Sequence, residues 1–327
     1  MDKNNLDKQS VVARRATLRA KDGQQILVDS WHPEADISPR ALLHIFHGLG
    51  EHTARYERFA QSCVAAGIVV LAHNHRGHGE NCDSESLGHY ADDDGWNKVI
   101  ADALLVQNDA CKNYPDLPLV LMGHSMGSYI AQSFVMRNPQ KVSQLILSAS
   151  TYAPRLRLRL GKWLATFDAW RHGPRHKSEM LNQMSFGDFN KRFAPNRTEF
   201  DWLSHDEHEV DKYIDDPLCG APSSSQLWHD LTGGMLEITS RRAVASVPSD
   251  MPLLILGGQF DPVGGEKGMT SLADAYRKSG HEDVTLRVYA DGRHEMLNET
   301  NRDEVTKDIV RWIEDHLQER RWSQVQS

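Results

Sequence analysis

The chain has 327 residues, with 37 Lys and Arg against 45 Asp and Glu, for a net charge of −8. That balance, with no long basic block, argues against a nucleic-acid partner, and 39% hydrophobic with 25% charged residues is ordinary globular composition. No apolar run approaches the ~20 residues that span a bilayer, and Met1 to Lys8 lack the apolar core of a signal peptide. The four cysteines (Cys63, Cys82, Cys111, Cys219) show no paired spacing and read as reduced thiols of a cytoplasmic protein.

Residues 1–12 are polar and expected to be mobile. Thr17–Ala20 and Gln25–Trp31 flank Lys21-Asp22-Gly23, where Asp-Gly predicts a hairpin turn. Apolar runs at 41–46, 68–73, 118–123 and 143–149 read as strands. They alternate with helix-like stretches at about 54–66, 92–112 and 127–138. The alternation predicts an α/β fold with a mostly parallel, doubly wound sheet. Runs such as Ile68-Val69-Val70-Leu71-Ala72 are apolar throughout, as strands covered on both faces should be.

The pattern stops near residue 151 and resumes at Met251. The organisation is therefore read as a core in two parts, 1–150 and 251–327, around an inserted, mainly helical cap at 151–250. An insertion of ~100 residues is too long for one structureless loop. Within it, Leu156, Leu160, Trp163, Leu164 and Phe167 share one helical stripe, with Arg155, Arg159 and Lys162 on another. The stripe is expected to cover a pocket or the core; a second reading lays this basic helix on an anionic membrane.

Gly123-His124-Ser125-Met126-Gly127 fits Gly-x-Ser-x-Gly between an apolar run and a helix-like stretch. That context places Ser125 at the apex of a strand-to-helix turn, as a nucleophile. A serine hydroxyl needs a base and a group to orient the base. Asp261 ends the apolar run that starts at Pro252. His294 lies in the loop after Val284–Tyr289. The C-terminal ends of parallel strands gather on one edge, which would bring the three together. Asp283 precedes its strand and should sit at the wrong edge; Asp291 is only three residues before His294. The oxyanion donors expected are the N–H groups of Met126, next after the nucleophile, and Leu49, in the Gly48-Leu49-Gly50 loop. His73, His75 and His78, and His205-Asp206-Glu207-His208-Glu209, match no zinc motif, and the latter reads as a solvated acidic turn. No metal and no cofactor is expected.

Four stretches carry a resemblance: His47-Gly48-Leu49-Gly50-Glu51-His52 with Arg55-Tyr56, Asn74-His75-Arg76-Gly77-His78-Gly79, Gly123 to Gly127, and Gly292-Arg293-His294-Glu295 after Asp261. On these the chain resembles the monoacylglycerol lipase and bacterial lysophospholipase branch of the α/β-hydrolases, the group also filed with S33-type serine aminopeptidases. The resemblance implies the α/β-hydrolase fold, the triad Ser125, Asp261 and His294, and oxyanion amides at Leu49 and Met126. It implies a single-chain lipid ester as substrate, a monoacylglycerol or lysophospholipid, with Trp163 and Phe167 as candidate contacts in the cap. A soluble ester or peptide substrate is the rival reading, and a catalytically idle binding module a remoter one. The family usually carries Asp where this chain has Asn74, so a salt bridge there is in doubt. The location implied is cytoplasmic, with peripheral membrane contact through the cap as an option.

Overall fold

Five short apolar runs form the centre of one eight-stranded sheet. The computed structural model describes residues 11–325, with side chains through residue 318. The strands are β1 (Val12–Arg19), β2 (Gln25–His32), β3 (Ala41–Phe46), β4 (Ile68–His73), β5 (Leu119–His124), β6 (Gln144–Ser148), β7 (Leu253–Gly258) and β8 (Val284–Tyr289). Their spatial order is β1-β2-β4-β3-β5-β6-β7-β8. The β1–β2 and β2–β4 pairs are antiparallel and the rest parallel. Every residue of β3 to β7 is buried, because helices cover both faces. Of the predicted mobile residues 1–12, the first ten lie outside the described residues. Val12 already starts β1, so the hairpin reaches further back than the turn signal shows.

Helices α1 (Glu57–Ala65) and α10 (Arg302–Val325) cover one face; α2 (Gly95–Asn113), α3 (Met126–Arg137) and α9 (Gly265–Lys278) cover the other. Between β6 and β7 the chain forms α4 (Arg155–His172), α5 (Glu179–Phe186), α6 (Glu207–Asp215), α7 (Ser225–Ile238) and the short α8 (Arg241–Val244). Helix α4 packs on α7, and α7 packs on α2 and α3. The segment 205–209 is not a solvated turn. Asp206 accepts from His208 N at 3.1 Å and caps α6, and Glu209 is buried. Its charge does not force exposure, because Lys212 at 3.0 Å and Arg58 at 3.6 Å pair with it.

Beneath the catalytic edge lie five fully buried histidines: His44, His47, His73, His75 and His78. His44 Nε2 meets His73 Nδ1 at 2.9 Å, and His75 N–H donates to His47 Nε2 at 2.9 Å. Burial holds all five below the ordinary imidazole range, His73 at about 3 and His78 at about 4. A group folded with a depressed histidine pKa keeps its contribution above the unfolded value. It loses that contribution as pH falls, because only the unfolded chain takes up the proton. These five histidines should therefore add no pH dependence above pH ~6.5 and make the unfolding free energy fall below it, each by up to about 1.4 kcal/mol per pH unit. Urea midpoints between pH 7.5 and 5 check this; a profile without acid sensitivity above pH 5 would refute neutral burial.

Candidate active site

Ser125 joins β5 to α3 at φ 50° and ψ −119°. A serine holds a positive φ only when its surroundings impose it. Here Ser125 N donates to Ser148 O and Ser125 O accepts from Ser128 N, each at 2.9 Å. The flanking glycines permit the turn. A Cβ on Gly123 would lie 2.3 Å from Gly127 O, and one on Gly127 would lie 2.1 Å from Phe46 O. The strand–turn–helix thus raises the hydroxyl above the sheet edge.

Asp261 and His294 meet at that edge. His294 Nδ1 lies 2.8 Å from Asp261 Oδ1, with both side chains buried. Burial would lower the imidazole pKa, but the Asp261 charge and its hydrogen bond, with Glu295 and Glu51 behind, hold it above the ordinary value. Asp283 is at the opposite edge, 3.0 Å from His316 of α10, as its place before β8 requires. Ser125 and His294 line one small cavity of about 30 Å³, together with Gly48, Leu49 and His124. Among the described residues no hydrogen bond joins Ser125 Oγ to His294 Nε2. Such bonds commonly tighten only with substrate in place.

Leu49 N–H has no partner among the described residues, and Met126 N–H is the first of α3, where a helix has no carbonyl to offer. Both residues share a wall with Ser125. The loop shape comes from Glu51. Its Oε1 accepts from Gly48 N at 2.5 Å and from Tyr56 Oη at 2.7 Å. Arg55 then grips Glu295 through two bonds of 2.5 and 2.7 Å and reaches Glu51 at 3.3 Å. The loop of Leu49 and the loop of His294 are therefore joined by one buried ion cluster. Asn74 adds a tie by accepting Thr53 N at 3.0 Å, a bond that needs an oxygen but no charge.

Three cavities adjoin one another at Leu49 and Phe186, and Ser125 lines two of them. The first, about 340 Å³, runs from Ser125 under α4, α5 and α7 and is mostly apolar, with Leu158, Leu164, Leu181, Trp228, Leu231 and Met235 among its walls. The second, about 450 Å³, is more polar, with Asn182, Gln183, Asn190, Asn196, Thr198 and Glu199 facing Phe186, Phe200 and Trp202. The 30 Å³ cavity lies between them, and Leu49 and Phe186 border all three.

The family model described as serine aminopeptidase, S33, matches residues 37–301. The chain belongs to the S33 serine aminopeptidase family of α/β-hydrolases. A monoglyceride lipase of Rattus norvegicus is 30% identical over 299 residues, 89% of this chain and 86% of that protein. A monoacylglycerol lipase of Mycolicibacterium smegmatis is 27% identical over 295 residues, 90% and 95% of the two chains. A crystal structure of a thermostable carboxyl esterase from Bacillus coagulans superposes with a TM-score of 0.86 at 26% identity, covering 93% of this chain and 99% of that one. This S33 member is a carboxylic ester hydrolase.

The expected contacts at Trp163 and Phe167 are corrected. Both residues are exposed, at 62% and 49%, and neither lines the apolar cavity. The helical spacing holds, but Leu156, Trp163 and Phe167 of the stripe point outward, while Leu160 and Leu164 border the cavity. Leu158, Gly161, Leu164 and Ala165 occupy the inward side, where small and medium residues let α4 close on α7. Sequence reasoning also passed over Trp202, whose ring lies 5.1 Å from that of His294, and Phe186. Neither sits in a motif. The roles of Glu51, Arg55 and Glu295 went unread as well, though the signal was present: opposite charges bracketing two motifs.

Proposed function

We propose that this S33 member hydrolyses monoacylglycerols, with Ser125 as nucleophile, His294 as base and Asp261 as its orienting partner. The acyl chain occupies the apolar cavity under α4 and α7, and the alcohol faces the polar one. His294 Nε2 takes the Ser125 proton as Oγ attacks the ester carbonyl. Asp261 holds the imidazole tautomer and offsets the positive charge that forms. The oxyanion rests on the N–H groups of Leu49 and Met126. His294 then hands its proton to the departing alcohol, and water activated by the same imidazole cleaves the acyl-enzyme.

The observation that carries the reading is that an apolar chamber opens on Ser125 while a more polar one adjoins it across Leu49 and Phe186. It also bears on the head group. The polar groups of the second chamber are amides, hydroxyls and one carboxylate, set among aromatic rings, with no Lys or Arg in its lining. A phosphodiester head group calls for a cationic partner; a glycerol calls for neutral donors and acceptors. The lysophospholipid reading is therefore the weaker one. The names of the relatives, monoglyceride and monoacylglycerol lipase, support the same choice.

The segment 151–250 serves as the acyl-covering cap, and its outer side meets the lipid surface. Leu156, Leu160, Trp163, Phe167 and Trp170 are exposed on one side of α4, and the rings of Trp163, Phe167 and Trp170 are in contact. Arg159 and Arg171 flank them. Leu160 and Met184 are both exposed and part of the apolar cavity, so its mouth opens on this patch. Among the described residues no helix is long and apolar enough to cross a membrane. Exposed aromatics on α4 beside Arg155, Arg159 and Arg171 fit contact with an anionic interface.

Three outcomes are expected. Ser125→Ala abolishes hydrolysis and fluorophosphonate labelling in a protein of unchanged circular dichroism; label surviving on another serine would sink the assignment. In a panel of monoacylglycerols, lysophospholipids, short acyl esters and aminoacyl amides with matched acyl groups, kcat/KM is highest for the monoacylglycerol. Equal or better turnover of the lysophospholipid would overturn the head-group reading, and a preference for short soluble substrates would overturn the lipid reading. Trp163→Ser with Phe167→Ser weakens sedimentation with anionic vesicles and lowers turnover of vesicle-borne substrate while sparing a short soluble ester. Equal loss on both substrates would mean that the stripe is structural.

A further inference from the structure

His52, Asp216 and Cys219 converge beside the active site from two distant stretches of chain. His52 follows the Leu49 loop. Asp216 and Cys219 lie in the connection between α6 and α7, in a turn closed by Cys219 N donating to Asp216 O at 3.0 Å. One potential ligand atom from each residue falls within 4.8 Å of the other two. Nitrogen, oxygen and sulfur donors in a set of three suit a tetrahedral ion of the zinc class with one position open. Bonds of about 2.0–2.3 Å put such ligand atoms roughly 3.3–3.8 Å apart, so closing the site takes side-chain rotation of about an ångström.

Neighbouring groups orient the donors. Asp216 Oδ1 is engaged by Leu218 N at 2.9 Å, which leaves Oδ2 to face His52 Nε2 at 2.8 Å. Its hydrogen bonds outweigh burial and keep the carboxyl below the usual range. Cys219 is half-buried, and burial raises its thiol. The nearest cation is Arg55, which the carboxylates Glu295 and Glu51 already neutralise. The surrounding charge therefore favours a divalent cation.

We propose that His52, Asp216 and Cys219 form a binding site for a borderline divalent transition metal of the zinc class. On binding, the Cys219 S–H bond gives way to a metal–sulfur bond and its proton leaves to solvent. The His52 proton moves from Nε2 to Nδ1 through solvent, so that Nε2 and Asp216 Oδ2 both take the ion. The ion ties the α6–α7 connection to the loop of Leu49. That loop already receives one tie from the same connection, since Gly220 N donates to Gly50 O at 2.9 Å.

Zn²⁺ titrated into the full chain should bind one to one by calorimetry, release protons, bind more tightly as pH rises and raise the melting temperature. Co²⁺ should give a thiolate-to-cobalt charge-transfer absorption. Cys219→Ser should abolish that absorption, and it and Asp216→Asn should each weaken Zn²⁺ about tenfold or more. His294→Gln and His172→Gln, the latter removing one of the stacked surface pair His172 and His176, should keep the absorption. Zn²⁺ affinity within twofold of wild type in both Cys219→Ser and Asp216→Asn, or charge-transfer absorption lost on His294→Gln instead, would overturn the site.

Discussion

The geometry of the catalytic edge depends on one buried ionic contact, that of Arg55 with Glu295 and Glu51. Burying a guanidinium and two carboxylates is costly unless each finds its counterpart. Here the desolvation is offset by a bidentate grip on Glu295, a contact to Glu51 and the bonds from Gly48 N and Tyr56 Oη. Burial alone would lift the Glu51 carboxyl; His124, Arg55 and Tyr56 hold it below its usual range. Removing one partner of such a cluster leaves a bare charge inside, at a cost of about 3–5 kcal/mol. The fold uses this to hold two loops in register. One carries the Leu49 amide and the other carries His294, and they are separated by some 240 positions of chain.

That register lets Leu49 and Phe186 act as a partition. On one side lie Leu158, Leu164 and Met235, and on the other a group of amides. An ester of an apolar acid and a polar alcohol has the same division at its scissile bond. In the small space between, Trp202 lies against the His294 ring and leaves room for little more than a water molecule.

The core was legible because its signals are local. Strands such as Ile68–His73 are unbroken apolar runs, and the Ser125 elbow needs two glycines at fixed offsets. Asp261 could be chosen over Asp283 because a parallel sheet gives its two edges different neighbours. The inserted segment was legible only in part. The spacing of Leu156, Leu160, Trp163 and Phe167 announces a helix, but periodicity does not tell which side faces the protein when both sides are apolar. Leu158 and Ala165 are the buried ones, and only packing against α7 shows it. Glu209 was misread for a related reason. A charged residue in an acidic stretch reads as solvated until Arg58 arrives from 151 positions away.

Helix α7 has a double attachment. It is the floor under α4, and it also rests on α2 and α3 of the sheet layer. Strands β6 and β7 are parallel neighbours, so the chain must cross from one sheet edge to the other between them. Helix α7 and the four-residue α8 make that crossing. The insertion is thus spliced into the winding of the fold rather than hung from it. A chimaera that exchanged this roof for a relative's would have to leave α7 behind, and the workable seams are the stretches on either side of α4 through α6.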